Sequence, residues 1–239
     1  MTETPGFRPL YRQVYEIVVR RVAQGEWRPG EALPSEQALA KELGVSQGTI
    51  RKVFDTLTAE KVLERHQGKG TFVAENTQER AQFRFFRMAR PGGERLSPTL
   101  GGESVRVRAA RAPERERLGL AREARVVEIT RVRLLEGIPA IRELIVLPAD
   151  LFAGIEKIEE LPNSLYSLYQ SRFGVNIVAT HEELSAELAT AEDHRQIGIE
   201  VGSPVLVIDR IAVCLPERRV EWRLSRVRSD NLVYAITLT

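Results

Sequence analysis

The stretch LPSEQALAKELGVSQGTIRKVFDTL, residues 33–57, decides how the first part of the chain folds. Pro34-Ser35 opens a helix: Ser35 is a good N-cap, and Glu36 favours the positive end of the helix dipole. Leu39 and Leu43 face inward, and Gly44 stops the helix. Val45 follows, then Ser46, a second N-cap. Ile50, Val53, Phe54 and Leu57 then recur at the i, i+3, i+4, i+7 spacing of a buried helical stripe. Two helices meeting across Gly44-Val45-Ser46 have the spacing of a helix-turn-helix. Gln47, Thr49, Arg51 and Lys52 lie away from the stripe at the start of the second helix, where side chains of a recognition helix reach base edges in the major groove. Gln pairs with adenine and Arg with guanine or phosphate, and Gly48 lets the backbone approach DNA closely.

Working outward, Leu10, Val14, Val18 and Val22, joined by Ile17, predict an amphipathic helix that ends near Gly25, with Pro29-Gly30 marking the turn beyond. On the other side, Val62–Arg65 and Gly70–Val73 flank His66-Gln67-Gly68-Lys69, a hairpin with a basic, glycine-bearing tip. Such a wing reaches the adjacent minor groove or phosphates. Glu64 and Arg65 read as a solvated pair; His66 reads equally as a wing contact or an exposed loop residue.

Composition bounds the rest. The chain has 239 residues, 35 Lys+Arg against 33 Asp+Glu, 43% hydrophobic and 28% charged residues. That is a globular composition with room for one or two domains. The near-zero net charge excludes a grossly basic tail, so basic character for DNA binding must be local. No stretch approaches the roughly 18 uninterrupted apolar residues of a membrane span. MTETPGF at the N-terminus has neither a basic nor an apolar signal region, so a cytoplasmic protein is expected. One cysteine, Cys214, excludes an intramolecular disulfide framework and any multi-cysteine metal site.

After residue 75 the character changes. Residues 74–98 are polar, arginine-rich and punctuated by Pro and Gly, which predicts a linker and loop, with FRFFRM inside it as a possible first strand. Residues 1–75 and 83–239 are therefore expected to be two domains joined by a linker at 76–82. In the second, Val126–Leu135 and Ala140–Leu147 flank the turn Glu136-Gly137-Ile138-Pro139; Val205–Val213, Val220–Arg228 and Leu232–Leu238 are further strands. Ser164–Phe173, closed by Gly174, reads as a helix, and Glu187–Ile197 as another. Val175–Leu188 mixes both signals, and Gly101–Glu103 reads as a loop. The class is α+β with a largely antiparallel sheet.

Strand alternation places Val127, Ile129, Arg131, Arg133 and Leu135 on one face, the two arginines roughly 6–7 Å apart. On the next strand Ile141, Glu143 and Ile145 share a face. Arginines among apolar neighbours need partners; Glu143 offers one across the hairpin, and the remaining guanidinium capacity suits a carboxylate or phosphate. Glu221, which opens the strand Val220–Arg228, is a second acidic position. On alternation alone a solvated charged face is the ordinary reading.

Residues 8–73 resemble the winged helix-turn-helix domain of the GntR family of bacterial transcription regulators. Pro9-Leu10-Tyr11, Pro29-Gly30, Leu33-Pro34-Ser35-Glu36, Val45-Ser46, Thr49-Ile50-Arg51 and Gly68-Lys69-Gly70-Thr71-Phe72-Val73 match in order. Gln37, Gln47, Lys52 and Lys61 depart from the family's usual residues, which points to a different operator sequence. The resemblance implies DNA contacts from Ser35, Glu36, Ser46, Gln47, Gly48, Thr49, Arg51, Lys52, His66, Gly68, Lys69 and Gly70. Residues 83–239 resemble the UTRA effector-binding domain of the HutC-type branch, through Arg131-Val132-Arg133, Glu136-Gly137-Ile138-Pro139, Leu147-Pro148, Ser164-Leu165-Tyr166, Gly202-Ser203-Pro204-Val205-Leu206 and Arg228-Ser229-Asp230. That implies a fold like chorismate lyase and a buried ligand cleft. Arg131 and Arg133 would bind an anionic group, Glu143 and Glu221 hydroxyl or amine groups, and Ser164 and Tyr166 would complete the site. Val227 stands where the family has a hydrogen-bonding aromatic, which points away from a standard sugar phosphate.

The expectation is a transcription regulator, a repressor, acting as a homodimer on double-stranded operator DNA and released by a small anionic effector, with no cofactor, metal or membrane partner. Two rivals remain: an enzyme built on the lyase-like fold, for which no nucleophile-base pair stands at suitable spacing, and a DNA-binding protein whose second domain only dimerises. His181 and His194 have no zinc-type spacing, and Cys214 reads as a buried structural residue.

Overall fold

The computed structural model describes residues 9–75, 85–93, 95–214 and 218–236. The expected linker at 76–82 and the start of FRFFRM lie outside the described residues.

The N-terminal unit is α1 (Leu10–Ala23), α2 (Glu36–Leu43), α3 (Gln47–Ala59), β1 (Leu63–His66) and β2 (Gly70–Val73). Both expected caps form. Ser35 Oγ accepts from the Ala38 amide and Ser46 Oγ from the Thr49 amide. Gly44 ends α2 in the left-handed conformation, φ 63°, which glycine adopts without strain. Val14, Val18, Leu39, Ile50, Val53, Phe54 and Leu57 form the core with Trp27, Leu33, Leu63 and Val73. The α1 face is rotated from the expected one. Leu10, at the first helical residue, is 51% exposed, and Val19 is buried instead. The segment after α1 adds to the wing: the Leu33 amide donates to Thr71 O and the Val73 amide to Glu31 O.

The C-terminal unit has a six-stranded antiparallel sheet in the order β4-β5-β6-β9-β8-β7. Its strands are β4 (Pro98–Ala109), β5 (Arg125–Leu135), β6 (Ile138–Pro148), β7 (Ile177–Leu188), β8 (Pro204–Cys214) and β9 (Arg218–Arg228). The helices are α4 (Ala112–Leu118), α5 (Leu165–Phe173) and α6 (Ala191–Ile197). A separate two-stranded ladder joins β3 (Met88–Ala89) to β10 (Val233–Tyr234). The β5–β6 hairpin turns on Glu136 and Gly137, both at positive φ, as a two-residue turn requires. The main core packs α5 and the segment Phe152–Ile155 on one sheet face through Tyr169, Phe152, Ile129, Ile145 and Leu147.

Several sequence expectations are corrected. Gly101–Glu103 is not a loop but part of β4. A bulge between Leu100 and Gly102 interrupts its ladder with β5, and a Cβ at Gly101 would come within 2.6 Å of Leu134. The helix expected over Glu187–Ile197 starts only at Ala191, because Glu187 and Leu188 pair with Val205 and Pro204 in the sheet. Thr190 and Asp193 then form a capping box that fixes the start of α6. The strand expected over Leu232–Leu238 is only Val233–Tyr234 among the described residues, with 237–239 outside them, and of the described residues of FRFFRM only Met88 is strand. Helix α4 was not expected.

Candidate functional site

Two places collect the residues singled out above. The first is the outer face of α3 and the wing. Gln47, Gly48, Arg51 and Lys52 are exposed there, with Thr49 half-buried. Glu36, at the start of α2, ties three elements together. Its Oε2 accepts from Arg51 Nε at 3.0 Å and Gln47 Nε2 at 3.3 Å, and its Oε1 from Arg65 Nη2 at 3.3 Å. Arg65 also pairs with Asp55 at 2.8 Å. The expected Glu64–Arg65 pair does not form. Neighbouring residues on a strand point to opposite faces, and Glu64 instead meets His66 at 3.1 Å. Exposed ion pairs contribute little stability, so these guanidinium groups are available to a polyanion at small cost.

Ser46 Oγ and Thr49 Oγ1 lie 2.8 Å apart and are occupied with the cap. Ser35 is likewise occupied in capping α2. Lys52 does not extend outward with Arg51; its Nζ stands 5.0 Å from the centre of the Tyr11 ring on α1. At the wing tip Gly68, Lys69 and Gly70 are exposed, and both glycines have positive φ. His66 packs edge-on against Phe72.

The second place is a cavity on the face of the six-stranded sheet between α5 and the β3–β10 ladder. Arg133, Glu143, Ser164 and Tyr166 line it. Arg131 and Glu221 do not. Arg131 is 1% exposed; its Nε donates to Glu103 at 3.0 Å and its Nη2 to Pro162 O at 3.0 Å, holding the turn that leads into α5. Glu221 is fully buried beneath the cavity, accepting from Tyr166 at 2.9 Å, Tyr169 at 2.8 Å and Arg223 at 2.9 and 3.0 Å. Ser164 caps α5 by backbone position, and its side chain makes no capping bond.

Among the lining residues that were not foreseen are Asn163, Arg210 and Arg223. Arg210 donates to Glu182 at 2.5 Å and to Phe85 O at 2.5 Å. Arg223 Nη1 donates to Glu143 at 3.3 Å. The signal was present in the sequence. Arg210 and Arg223 sit directly opposite each other on β8 and β9, and Arg223 is opposite Ile145 on β6, on the same face as Glu143. Register between strands distant in sequence is needed to see it.

Burial would push the Glu143 carboxyl up, but Arg223 and Arg133 outweigh it and hold it down at about 2. Burial lowers the Arg133 guanidinium, opposed by Glu143. Burial and Glu221 both raise the Tyr166 hydroxyl, so it stays a donor. Arg133 meets Glu143 at 3.5 Å and donates to Asn163, while its Nε is buried with no partner. An unpartnered buried donor is costly, and an oxyanion would satisfy it.

Helix α5 joins the two places. Ser164, Leu165 and Tyr166 at its start line the cavity. Near its end Gln170 Nε2 donates to Ala74 O at 2.7 Å, and a Cβ at Gly174 would lie 3.0 Å from Ala23 O at the end of α1. No group of His, Cys, Asp and Glu suited to a metal ion occurs among the described residues. Cys214 is buried, which raises its thiol. No helix among the described residues is long and apolar enough to cross a membrane.

Residues 10–73 match the family of bacterial regulatory proteins called gntR, and residues 98–232 match the UTRA domain. The chain is 29% identical over 234 residues to the HTH-type transcriptional repressor NagR of Bacillus subtilis, covering 95% of this chain and 93% of that protein. It is 30% identical over 238 residues to the mannosyl-D-glycerate transport/metabolism system repressor MngR of Escherichia coli, covering 98% and 96%. Among solved structures, the ligand-binding domain of a protein assigned to the GntR-family regulators, from Bordetella bronchiseptica, superposes with a TM-score of 0.59 at 29% identity, covering 65% of this chain and 98% of that one. PhnF from Mycobacterium smegmatis shares the fold over 95% of this chain and 99% of its own, with a TM-score of 0.55 at 22% identity.

Proposed function

Because the chain belongs to the gntR family of bacterial regulatory proteins and carries a UTRA domain, it is a DNA-binding transcription regulator under small-molecule control, and we propose that it is a repressor whose cavity at Arg133 receives the effector. The observation that carries this reading is Arg133 itself, a lining residue of the cavity together with further arginines, whose buried Nε has no partner. Arg133 and Ser164 would hold the anionic group. Arg131 and Glu221 act from behind, Arg131 by fixing the turn into α5 and Glu221 by fixing Tyr166 and Arg223.

On the DNA side, Gln47, Arg51 and the wing tip Gly68-Lys69-Gly70 supply the groove and phosphate contacts. Ser35 and Ser46 set the helix starts, Glu36 positions Arg51 and Arg65, and Lys52 and His66 reach phosphates after leaving Tyr11 and Glu64. The units are residues 1–75 and 83–239 joined at 76–82. A homodimer presents two recognition helices to a two-fold operator. The setting is cytoplasmic, and the protein performs no catalysis.

Helix α5, roughly 13 Å long at the usual rise, supports a route of control. A ligand that repositions its Ser164–Tyr166 end shifts the Gln170–Gly174 end against the winged helix. Such a shift requires different affinity for the two arrangements. The test is operator binding by Arg51→Ala and effector release by Arg133→Met. Full release of operator from Arg133→Met by the effector would refute the cavity assignment.

A further inference from the structure

The cavity's hydrogen-bonding inventory narrows its ligand further than the reading above, on which this inference rests. An ammonium needs acceptors in the wall, and a set of sugar hydroxyls needs acceptors as well as donors. The acidic acceptors here are already engaged by the protein itself. Glu143 receives Arg223 on one oxygen and Arg133 on the other. Behind it, both oxygens of Glu221 are taken by Tyr166, Tyr169 and Arg223. Asn163 Oδ1 accepts from Arg133. Arg223 thus supplies, from within the fold, the cation that these two carboxylates would otherwise seek in a ligand.

What is left over is donor capacity. Arg133, which is 5% exposed, has an Nε without a partner. Four arginines, Arg87, Arg133, Arg210 and Arg223, are among the residues that line the cavity, with Glu143 as its one lining carboxylate, while Arg210 and Arg223 are paired from behind by Glu182 and Glu221. Beside them the wall is apolar: Met88, Ile141, Ile208 and Val227 line it, and Ile141 and Val227 are direct cross-strand partners. These four side chains also belong to one buried cluster, so the apolar side is a continuous surface rather than scattered methyls. Polar groups of a ligand placed against it would lose water without replacement.

We propose that the cavity selects an oxyanion, carboxylate or phosphate, carried on an apolar body without an amine, and that Arg223 determines this choice by occupying Glu143 and Glu221. The oxyanion sits at Arg133 and the body against Met88, Ile141, Ile208 and Val227.

The test is isothermal titration of the full chain with benzoate, phenyl phosphate, glucose 6-phosphate and glucosamine 6-phosphate. The expected result is that benzoate or phenyl phosphate binds at least about tenfold more tightly than either sugar phosphate, a difference of about 1.4 kcal/mol. The order of the first two identifies the oxyanion. Tighter binding of either sugar phosphate overturns the proposal. If that tighter binding disappears in Arg133→Met, the cavity is still the effector site and only the ligand class is wrong. An aromatic anion that binds wild type and Arg133→Met alike lies elsewhere and overturns the cavity assignment too, as does binding of none of the four. Arg223→Met, checked for folding by circular dichroism, should move the ranking towards glucosamine 6-phosphate. An unchanged ranking in a folded variant removes Arg223 from the choice. The wild-type ranking decides the ligand class without that variant.

Discussion

Replacing Arg133 by Met separates a binding residue from a structural one. The side chain is buried, and its ion pair with Glu143 is long at 3.5 Å. Glu143 keeps Arg223 at 3.3 Å when Arg133 is removed, so no carboxylate is left alone. Burial already works against the Arg133 charge; removing one member of a buried pair ordinarily costs about 3–5 kcal/mol because the other is left uncompensated, but here Glu143 retains Arg223, and Asn163 Oδ1 is the group that loses its donor. Unfolding free energy should therefore fall by less than that range of about 3–5 kcal/mol in the absence of ligand. Ligand binding should fall as well. A hydrogen bond to a charged group contributes about 1.5–3 kcal/mol, which corresponds to a loss of roughly 10- to 150-fold in affinity. Differential scanning calorimetry and isothermal titration with benzoate or phenyl phosphate measure the two quantities on one preparation. A large fall in melting temperature with unchanged affinity would refute the reasoning, because it would make Arg133 a structural ion.

Arg51→Ala should weaken operator binding by about 1–3 kcal/mol while leaving the circular dichroism spectrum unchanged; equal affinity would remove Arg51 from the interface. Asp193 is fully buried and accepts from Arg142, Arg226 and Thr190. Asp193→Ala should cost about 3–5 kcal/mol in chemical denaturation, and a loss below about 1 kcal/mol would contradict the assigned role of that network. Acid should destabilise the C-terminal unit with a defined sign. The folded Glu143 carboxyl, at about 2, lies below its ordinary value of 4.5. Its stabilising contribution is thus complete above the ordinary value and lost as pH falls from there towards the folded value. Glu114, Glu128 and Asp193 are also lowered, each through guanidinium or backbone donors that outweigh burial, and share that direction. Melting temperature measured against pH should be flat above that window and fall within it; rising stability on acidification would contradict these ion pairs.

The winged unit was legible in detail because its signals are local. Ser35, Ser46 and Gly44 act within one helical turn of themselves, and the stripe Ile50–Leu57 repeats at helical spacing. The hairpin of β5 and β6 was legible for the same reason, although the expected turn Glu136-Gly137-Ile138-Pro139 tightens to Glu136-Gly137, because Ile138 and Pro139 pair with Leu135 and Leu134. Failures came where distant partners decide. Leu188 is strand because Pro204 lies opposite it, although Glu187–Ile197 reads as helix locally. Gly101–Glu103 looks like a loop until β5 holds it across a bulge. In the cavity, Arg133 and Glu143 could be placed on one face from a hairpin. Arg210 and Arg223 are 77 and 90 residues beyond Arg133 in sequence, and only the order β5-β6-β9-β8 brings them there. Alternation also cannot distinguish Arg131 from Arg133, which share a face. Glu103 and the Pro162 carbonyl claim the first and leave the second with a free Nε.

The central claim is that the outer face of α3 and the wing read a specific DNA sequence. Its most direct test is selection of binding sites by the full chain from a library of random duplexes, followed by sequencing. Enrichment of one motif, built of two inverted half-sites and lost in Arg51→Ala, is the result predicted. A bound pool no different in sequence from the input library would contradict it.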